Sequence, residues 1–357
     1  MNPMPSRVLI AFQKRPPIMD YLEKSFNDRG IEVIKFYSND NTWFDRYVIN
    51  RLNKQLHNLR ILPKTKNLFQ NHPLAHRNYL NTRLRTVYEE TRPDLVLAIR
   101  GMDIGQDALA HMACPKIGWW VEPETHIHEA VAEAHLFDWY FCMNETCVDA
   151  LCQSGYDRTS YLQHAVDTTA FFPIPDAPKK YDLCFVGKHS DKRQQMIEAA
   201  LEVTPHIVIY GPRWKEKNLA NPRVAGLCKG TYIAGADLNR LYNESRIVLN
   251  VTGWDGQAGQ QRSGMNMRLM EVPAAGACLL SDASLELEQT LSPGRDLLVY
   301  STMDDFKQTL RHYLAHPEAC ADIGRQGCQT VSAKYTYART VDAILDQYQQ
   351  IAAGVAR

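Results

Sequence analysis

The chain of 357 residues has little that would give it a global charge: 40 Lys and Arg balance 40 Asp and Glu, leaving a formal charge of zero. No whole-molecule field therefore draws it to an acidic partner. It has no apolar run near the roughly 20 residues of a membrane span, and the opening MNPMPSRVLIAF reaches Lys14-Arg15 without an apolar stretch of signal-peptide length. That pattern predicts a cytoplasmic protein with no transmembrane segment, peripheral contact with a membrane remaining open. Its nine cysteines include no C-x-x-C pair and lie scattered through apolar stretches, which reads as reduced thiols packed as small hydrophobes. The D-x-D triplet is absent, and the first loop, Gln13 to Pro17, lacks the G-x-G-x-x-G fingerprint of a dinucleotide fold. One segment lacks acid altogether. From Arg46 to Tyr88 there is no Asp or Glu among nine Lys or Arg and three His, with Tyr47, Leu52, Phe69 and Tyr79 interleaved. Such a one-sided segment suits docking of an anionic acceptor, whether acidic glycan, lipid phosphate or nucleic acid. The plainer reading is a solvated basic face balanced by acids elsewhere in the fold.

What is present alternates strand and helix. Arg7–Phe12, a helix from Ile18 ended at Gly30, and Ile31–Phe36 read as β-α-β, for which a right-handed parallel crossover is expected. Asp94–Ile99 delivers Asp103 beyond its C-terminal end, and Ile117–Val121 delivers Glu122, so both acids are expected at the ligand edge of a first sheet. The run Glu122 to Glu129, with His126 and His128, also invites a metal. Its spacing is not H-E-x-x-H, and no metal is predicted. A second series opens with strand Tyr181–Val186, turn Gly187-Lys188, and a helix capped by Ser190 or Asp191 that carries Arg193. Pro173, Pro175 and Pro178 with Lys179-Lys180 mark an interdomain linker.

The densest stretch is Asn250 to Asp282. Strand Ile247–Val251 runs into a glycine-rich loop (Gly253, Gly256, Gly259, Gly264), then a short helix with Asn266, Arg268 and Glu271 ended by Gly276. Unpaired N–H groups at a helix start and the Arg268 fork suit phosphate, whereas a carboxylate one turn on suits a ribose diol. Pro273 predicts that this helix is short or kinked.

G-x-N-x-R-x-x-E, then a small-residue turn and an apolar strand, resembles the nucleotide-sugar module of GT-B glycosyltransferases, in particular the CgeB-like (spore maturation protein-like) group. The match runs from about Tyr181 to the C-terminus and more weakly upstream. It implies an α/β fold of two Rossmann-like, doubly wound domains facing a cleft: 1–173 on the acceptor side, a linker 174–180, and a nucleotide-sugar domain 181–335. A C-terminal helix, 336–357, would cross back to the first. It implies a glycosyltransferase (EC 2.4, hexosyltransferase-like) using a nucleotide-diphosphate sugar, with UDP-sugar favoured, and needing no cofactor or metal. In such enzymes Lys188 and Arg193 would bind the pyrophosphate beside Gly187, Gly211 and Tyr232 would hold the base, and Glu271 the ribose. Gly264, Asn266 and Arg268 complete the donor site. His164, in the segment resembling P-x-x-V-D-x-x-x-F-x-P, would face the sugar, and Glu122, with Asp103 behind it, would act on the acceptor hydroxyl. The first Glu of the E-x7-E pattern of retaining enzymes falls here on Ser263, a departure at the donor-sugar contact. Two alternatives share the fold: a nucleotide-sugar 2-epimerase, and a non-catalytic protein that binds an anionic polymer.

Overall fold

A computed structural model of the chain describes residues 4–12, 17–38, 42–63, 66–69, 72–100, 104–122, 126–215, 221–252 and 265–354. Two compact units emerge. The first comprises Met1–Leu162 and Val341–Arg357, the second Gln163–Thr340.

The first unit is built on six strands: β1 Arg7–Phe12, β2 Glu32–Tyr37, β3 Leu95–Ile99, β4 Lys116–Trp120, β5 Trp139–Cys142 and β6 Thr159–Tyr161. They pair in the order β2-β1-β3-β4-β5-β6, and every pairing is parallel. β3, the run LVLAI, is buried at every position, as expected of a strand with both sheet faces covered by crossover helices. The expected opening β-α-β is present, with its helix at Pro17–Asn27 and Gly30 at φ 74°. The C-terminal helix Tyr337–Ala352 returns residues from Val341 onward to this unit, where Asp342 accepts from Arg29 Nη2 at 2.6 Å.

The second unit repeats the scheme with β7 Tyr181–Val186, β8 Ile207–Tyr210, β9 Cys228–Gly230, β10 Ser245–Asn250, β11 Cys278–Asp282 and β12 Leu298–Tyr300. Its order is β12-β11-β10-β7-β8-β9, again all parallel. Strand order therefore reverses between β7 and β10. The crevice beyond the C-terminal ends of the two strands at such a reversal is where doubly wound sheets hold ligands. Its core packs Leu183, Phe185, Ile247 and Leu249 of the central strands against Ile197 and Trp214.

The proline-rich segment after Phe171 is fastened within the second unit. Ile174 N donates to Asn243 Oδ1 at 2.6 Å, and Lys179 Nζ donates to the carbonyls of Asn243 and Ser245 at 2.6 and 3.0 Å. Asp167 caps its own turn, accepting from Thr169 N at 2.7 Å and Thr169 Oγ1 at 2.6 Å. Several elements had no clear sequence signal, among them the helix Pro317–Lys334 and the three-residue strands β6, β9 and β12. Among the described residues, no helix is long and apolar enough to cross a membrane.

Candidate nucleotide-binding site at the β7–β10 crevice

β10 carries the apolar run Ile247–Leu249 and closes on Asn250, which is fully buried. A buried amide must find partners or carry the full cost of desolvation. Asn250 finds three: its Nδ2 donates to Ser281 Oγ at 2.9 Å, and its Oδ1 accepts from Asn266 Nδ2 at 3.0 Å and from Arg268 Nη1 at 2.5 Å. Arg268 Nη2 donates to the carbonyl of Val186, the last residue of β7. One guanidinium thus bridges the C-terminal ends of the two strands at which the sheet order reverses.

Asn266 has a second task. Its Oδ1 accepts from Arg268 N at 3.1 Å and so starts the helix Arg268–Ala274. That helix is seven residues long, contains Pro273 and ends at Gly276 with φ 71°, the short form its sequence predicts. It buries Glu271 one turn beyond Arg268. Burial pushes the Glu271 carboxyl up to about 7, against the opposing pull of Arg268. Tyr242 is buried beside both, its phenol held well above the usual range by burial and then by Glu271.

A second cation reaches the same place from β7. Ser190 caps the helix Asp191–Leu201 by accepting from Arg193 N, so the N-cap is Ser190. The Arg193 guanidinium lies 5.6 Å from the Phe185 ring centre, and that of Arg268 lies 5.7 Å from the same ring. Burial first, and then the Arg268 charge, push Arg193 down to about 10. Two guanidiniums so placed repel each other in a partly dry setting, and an anion between them would relieve that repulsion. Arg193 also donates Nε and Nη2 to the Val251 carbonyl at 3.2 and 3.1 Å and Nη1 to the Lys188 carbonyl at 2.8 Å. Lys188 itself is exposed.

Two glycines allow this close assembly. A Cβ on Gly211, at φ 152°, would lie 1.9 Å from the Gly187 carbonyl oxygen, so no larger residue fits there. Gly187 in turn donates its N–H to Tyr210 O at 2.8 Å and accepts from Trp214 Nε1 at 2.7 Å, and a Cβ on it would lie 3.5 Å from Arg268 Nη2. Gly211 therefore acts by letting the β8 turn pack against the β7 turn. Tyr232, two residues past β9, is 80% exposed and lines a cavity of about 430 Å³ with Tyr181, Tyr210, Asp237 and Arg240.

A clasp just before the glycine-rich segment had no counterpart in the sequence reading. Lys192 Nζ donates to Asp282 Oδ2 at 3.0 Å and to the Thr252 carbonyl at 3.2 Å. Asp282, at the end of β11, also accepts from Thr252 N at 3.1 Å and from Thr252 Oγ1 at 2.5 Å. The usable signal for Asp282 and Asn250 was a polar residue closing an apolar strand.

In the first unit, Glu122 lies just past β4 and accepts from Arg100 Nη1, with Arg100 in the left-handed region at φ 54°. Asn144 Nδ2 donates to the Glu122 carbonyl at 3.2 Å, so the C-terminal ends of β3, β4 and β5 meet here. Backbone strain in a non-glycine residue at a strand end is a feature of functional sites. His164, 6% exposed, belongs by residue range to the second unit; burial pushes its imidazole down to about 4, so it is neutral near pH 7. His126 and His128 both approach Glu129, at 3.1 and 3.8 Å, yet among the described residues no group of three or more His, Cys, Asp or Glu has a metal-holding arrangement. Asp103 and Gly264 lie outside the described residues.

Residues 190–346 match the model of a family described as glycosyl transferase-like. Among curated proteins, none matches the chain. Solved structures similar in fold include HepE of Anabaena in complex with UDP-glucose: TM-score 0.66 and 13% identity, covering 98% of this chain and 99% of that one. Sucrose-phosphate synthase of Thermosynechococcus elongatus is similar with TM-score 0.68 and 12% identity over 98% of this chain and 100% of that one. A glycosyltransferase of Rickettsia africae gives TM-score 0.65 and 12% identity, covering 96% and 98%. The chain has the GT-B fold of two Rossmann-like domains, and its residues 190–346 are similar to the glycosyl transferase-like family.

Proposed function

We propose that the protein is a CgeB-like glycosyltransferase that binds a nucleotide-diphosphate sugar, UDP-sugar in preference, at the β7–β10 crevice. The observation that carries this reading is the placing of Arg268 and Arg193 over one ring, Phe185, beside Gly187, with the buried carboxyl of Glu271 one turn away. Cations grouped at a strand-order reversal suit a diphosphate, and a carboxyl at that separation suits the ribose hydroxyls. The similar fold of HepE, solved with UDP-glucose, supports the preference for uridine.

Negative charge grows on the leaving diphosphate as the glycosidic bond breaks. Fixed cations and loop N–H groups aimed at that charge stabilise the transition state more than the ground state. Arg268 and the exposed Lys188 would do this without a divalent ion, with Arg193 held behind them by its three bonds to carbonyls. We assign retention of configuration, the leaving phosphate taking the acceptor's proton. Glu122, held by Arg100, then positions the acceptor hydroxyl, and the neutral His164 donates or accepts a hydrogen bond to the sugar.

The deciding experiment is a thermal-shift series with UDP, GDP, ADP and dTDP. Saturation at about a hundred times the dissociation constant adds about 2.7 kcal/mol. A clear shift with UDP and smaller ones with the others is expected; no shift with any diphosphate would end this reading.

A further inference from the structure

Five cations of the acid-free segment find no counter-charge among the described residues. Arg46, Arg51, Lys54, Arg60 and Lys66 are all exposed, and none has an acidic partner among the described residues. The nearest acid in sequence, Asp45, is buried and spent: it accepts from Asn50 Nδ2 at 2.7 Å and from the backbone N of His76 at 3.0 Å.

The same segment exposes apolar side chains that a water-soluble surface would bury. Trp43 is 70% exposed, Leu59 68% and Ile61 67%, with Phe69 and Leu74 also open to solvent. Among the described residues most of the exposed large hydrophobics of the whole chain fall between 43 and 74. Grouping of this kind marks an interaction surface.

Nor is the exposure a frayed loop. A π-type turn Asp45–Ile49 continues into the helix Asn50–Asn58, and the chain then turns and comes back along it. Asn53 clips the return, donating to Leu68 O at 3.2 Å and accepting from Leu68 N at 2.7 Å, while the His57 ring pairs with Lys66 O at 2.8 Å. Leu59 and Ile61 stand at the tip of this excursion. Trp43 and Tyr47 pack at 6.2 Å, and the Arg51 guanidinium lies 5.3 Å from the Tyr47 ring, an aromatic and basic stripe toward the start of this helical stretch.

A polyanion such as nucleic acid would use the cations and leave Leu59 and Ile61 in water. Only a partner with both an anionic face and an apolar layer beneath it satisfies both sets of residues at once. We infer that the described residues between 43 and 74 form a docking surface for an anionic lipid bilayer: Leu59 and Ile61 enter the acyl boundary, Trp43 and Tyr47 lie at headgroup level, and Arg46, Arg51, Lys54 and Arg60 contact lipid phosphates. This goes beyond the nucleotide-binding reading and does not depend on it.

The test is co-sedimentation of the full chain with vesicles of phosphatidylcholine, alone or mixed with phosphatidylglycerol. Binding to the mixed vesicles, weakened by salt, is expected. Removing two charges in Arg51→Gln/Lys54→Gln should lower the partition coefficient roughly twenty-five-fold, since each basic residue near an anionic surface contributes about fivefold. Leu59→Ser/Ile61→Ser should lower it about tenfold or more by removing the inserting groups. These side chains are exposed, so folding is not at stake, and an unchanged melting temperature and UDP-induced shift verify it. Loss of the UDP shift in the parent protein with vesicle binding intact would count against the nucleotide reading alone. Absence of vesicle binding, equal binding to neutral vesicles, retention by RNA that ignores Leu59→Ser/Ile61→Ser, or self-association abolished by that variant without vesicle binding would each overturn the proposal.

Discussion

Arg268 and Asn250 are joined by a 2.5 Å hydrogen bond that ties the loop-following helix to the end of β10, 18 residues earlier in the chain. The bond fixes the guanidinium by its inner edge, on a buried amide whose other contacts are already filled. The charge stays at the crevice while its orientation is set by the sheet.

Arg268→Ala is therefore expected to weaken UDP binding by tenfold to a hundredfold, about 1.5–3 kcal/mol for a charge-assisted contact, while uridine binding changes little. Isothermal titration with both ligands measures the split. Equal losses on the two would remove Arg268 from the phosphate.

The two buried titrating groups predict opposing pH dependences of stability. Glu271, raised to about 7 from an ordinary 4.5, binds more protons folded than unfolded between those values, so its contribution to stability declines as pH rises through that window. His164, lowered to about 4 from 6.5, binds fewer protons folded, so its contribution is present above 6.5 and is lost as pH falls toward 4. Each is worth roughly 3 kcal/mol at full extent. Denaturation of the parent protein between pH 4.5 and 6.5 should show the two slopes largely cancelling. Glu271→Gln should unmask stability that rises with pH, and a flat profile in that variant would contradict the His164 assignment.

Gly211→Ala places a methyl group on the Gly187 carbonyl. Overpacking against backbone at this range should cost about 3 kcal/mol or more, read as a lower denaturant midpoint. Because the displaced group belongs to the β7 turn, the UDP-induced thermal shift should also shrink. Alanine tolerated without loss would show that the two turns do not touch.

Lys192→Met breaks the clasp on Asp282 and Thr252. A loss of roughly 1–3 kcal/mol in stability is expected, since the buried Asp282 carboxylate loses its lysine partner. The clasp orders the entry to the glycine-rich segment and touches no single part of the ligand, so UDP and uridine should weaken by similar factors. A selective loss on UDP would instead make Lys192 a phosphate ligand.

How much of this was legible in the chain depends on whether the physics involved is local. Apolar runs such as LVLAI and YDLCFV, closed by glycine turns, specify buried parallel strands and their order in sequence. Ser190 and Pro273 specify where one helix starts and why another is short, because capping and a missing N–H act within a turn. Spacing also singled out Arg268 and Glu271. It placed Arg193 on the helix after the Gly187 turn, but not the three bonds its guanidinium makes to the carbonyls of Val251 and Lys188. It passed over Asn250, Lys192 and Asp282, whose meaning comes from partners 31 and 90 residues away along the chain.

The two α/β series, the crevice motif and the acid-free basic segment are written in the order of residues, since each depends on neighbours along the chain. The folded chain alone brings Arg268 and Arg193 to one aromatic ring, buries Glu271 so that its carboxyl is pushed up to about 7, and leaves the apolar side chains of the basic segment in water. Those are outcomes of burial and of long-range pairing, which depend on what the rest of the fold places alongside.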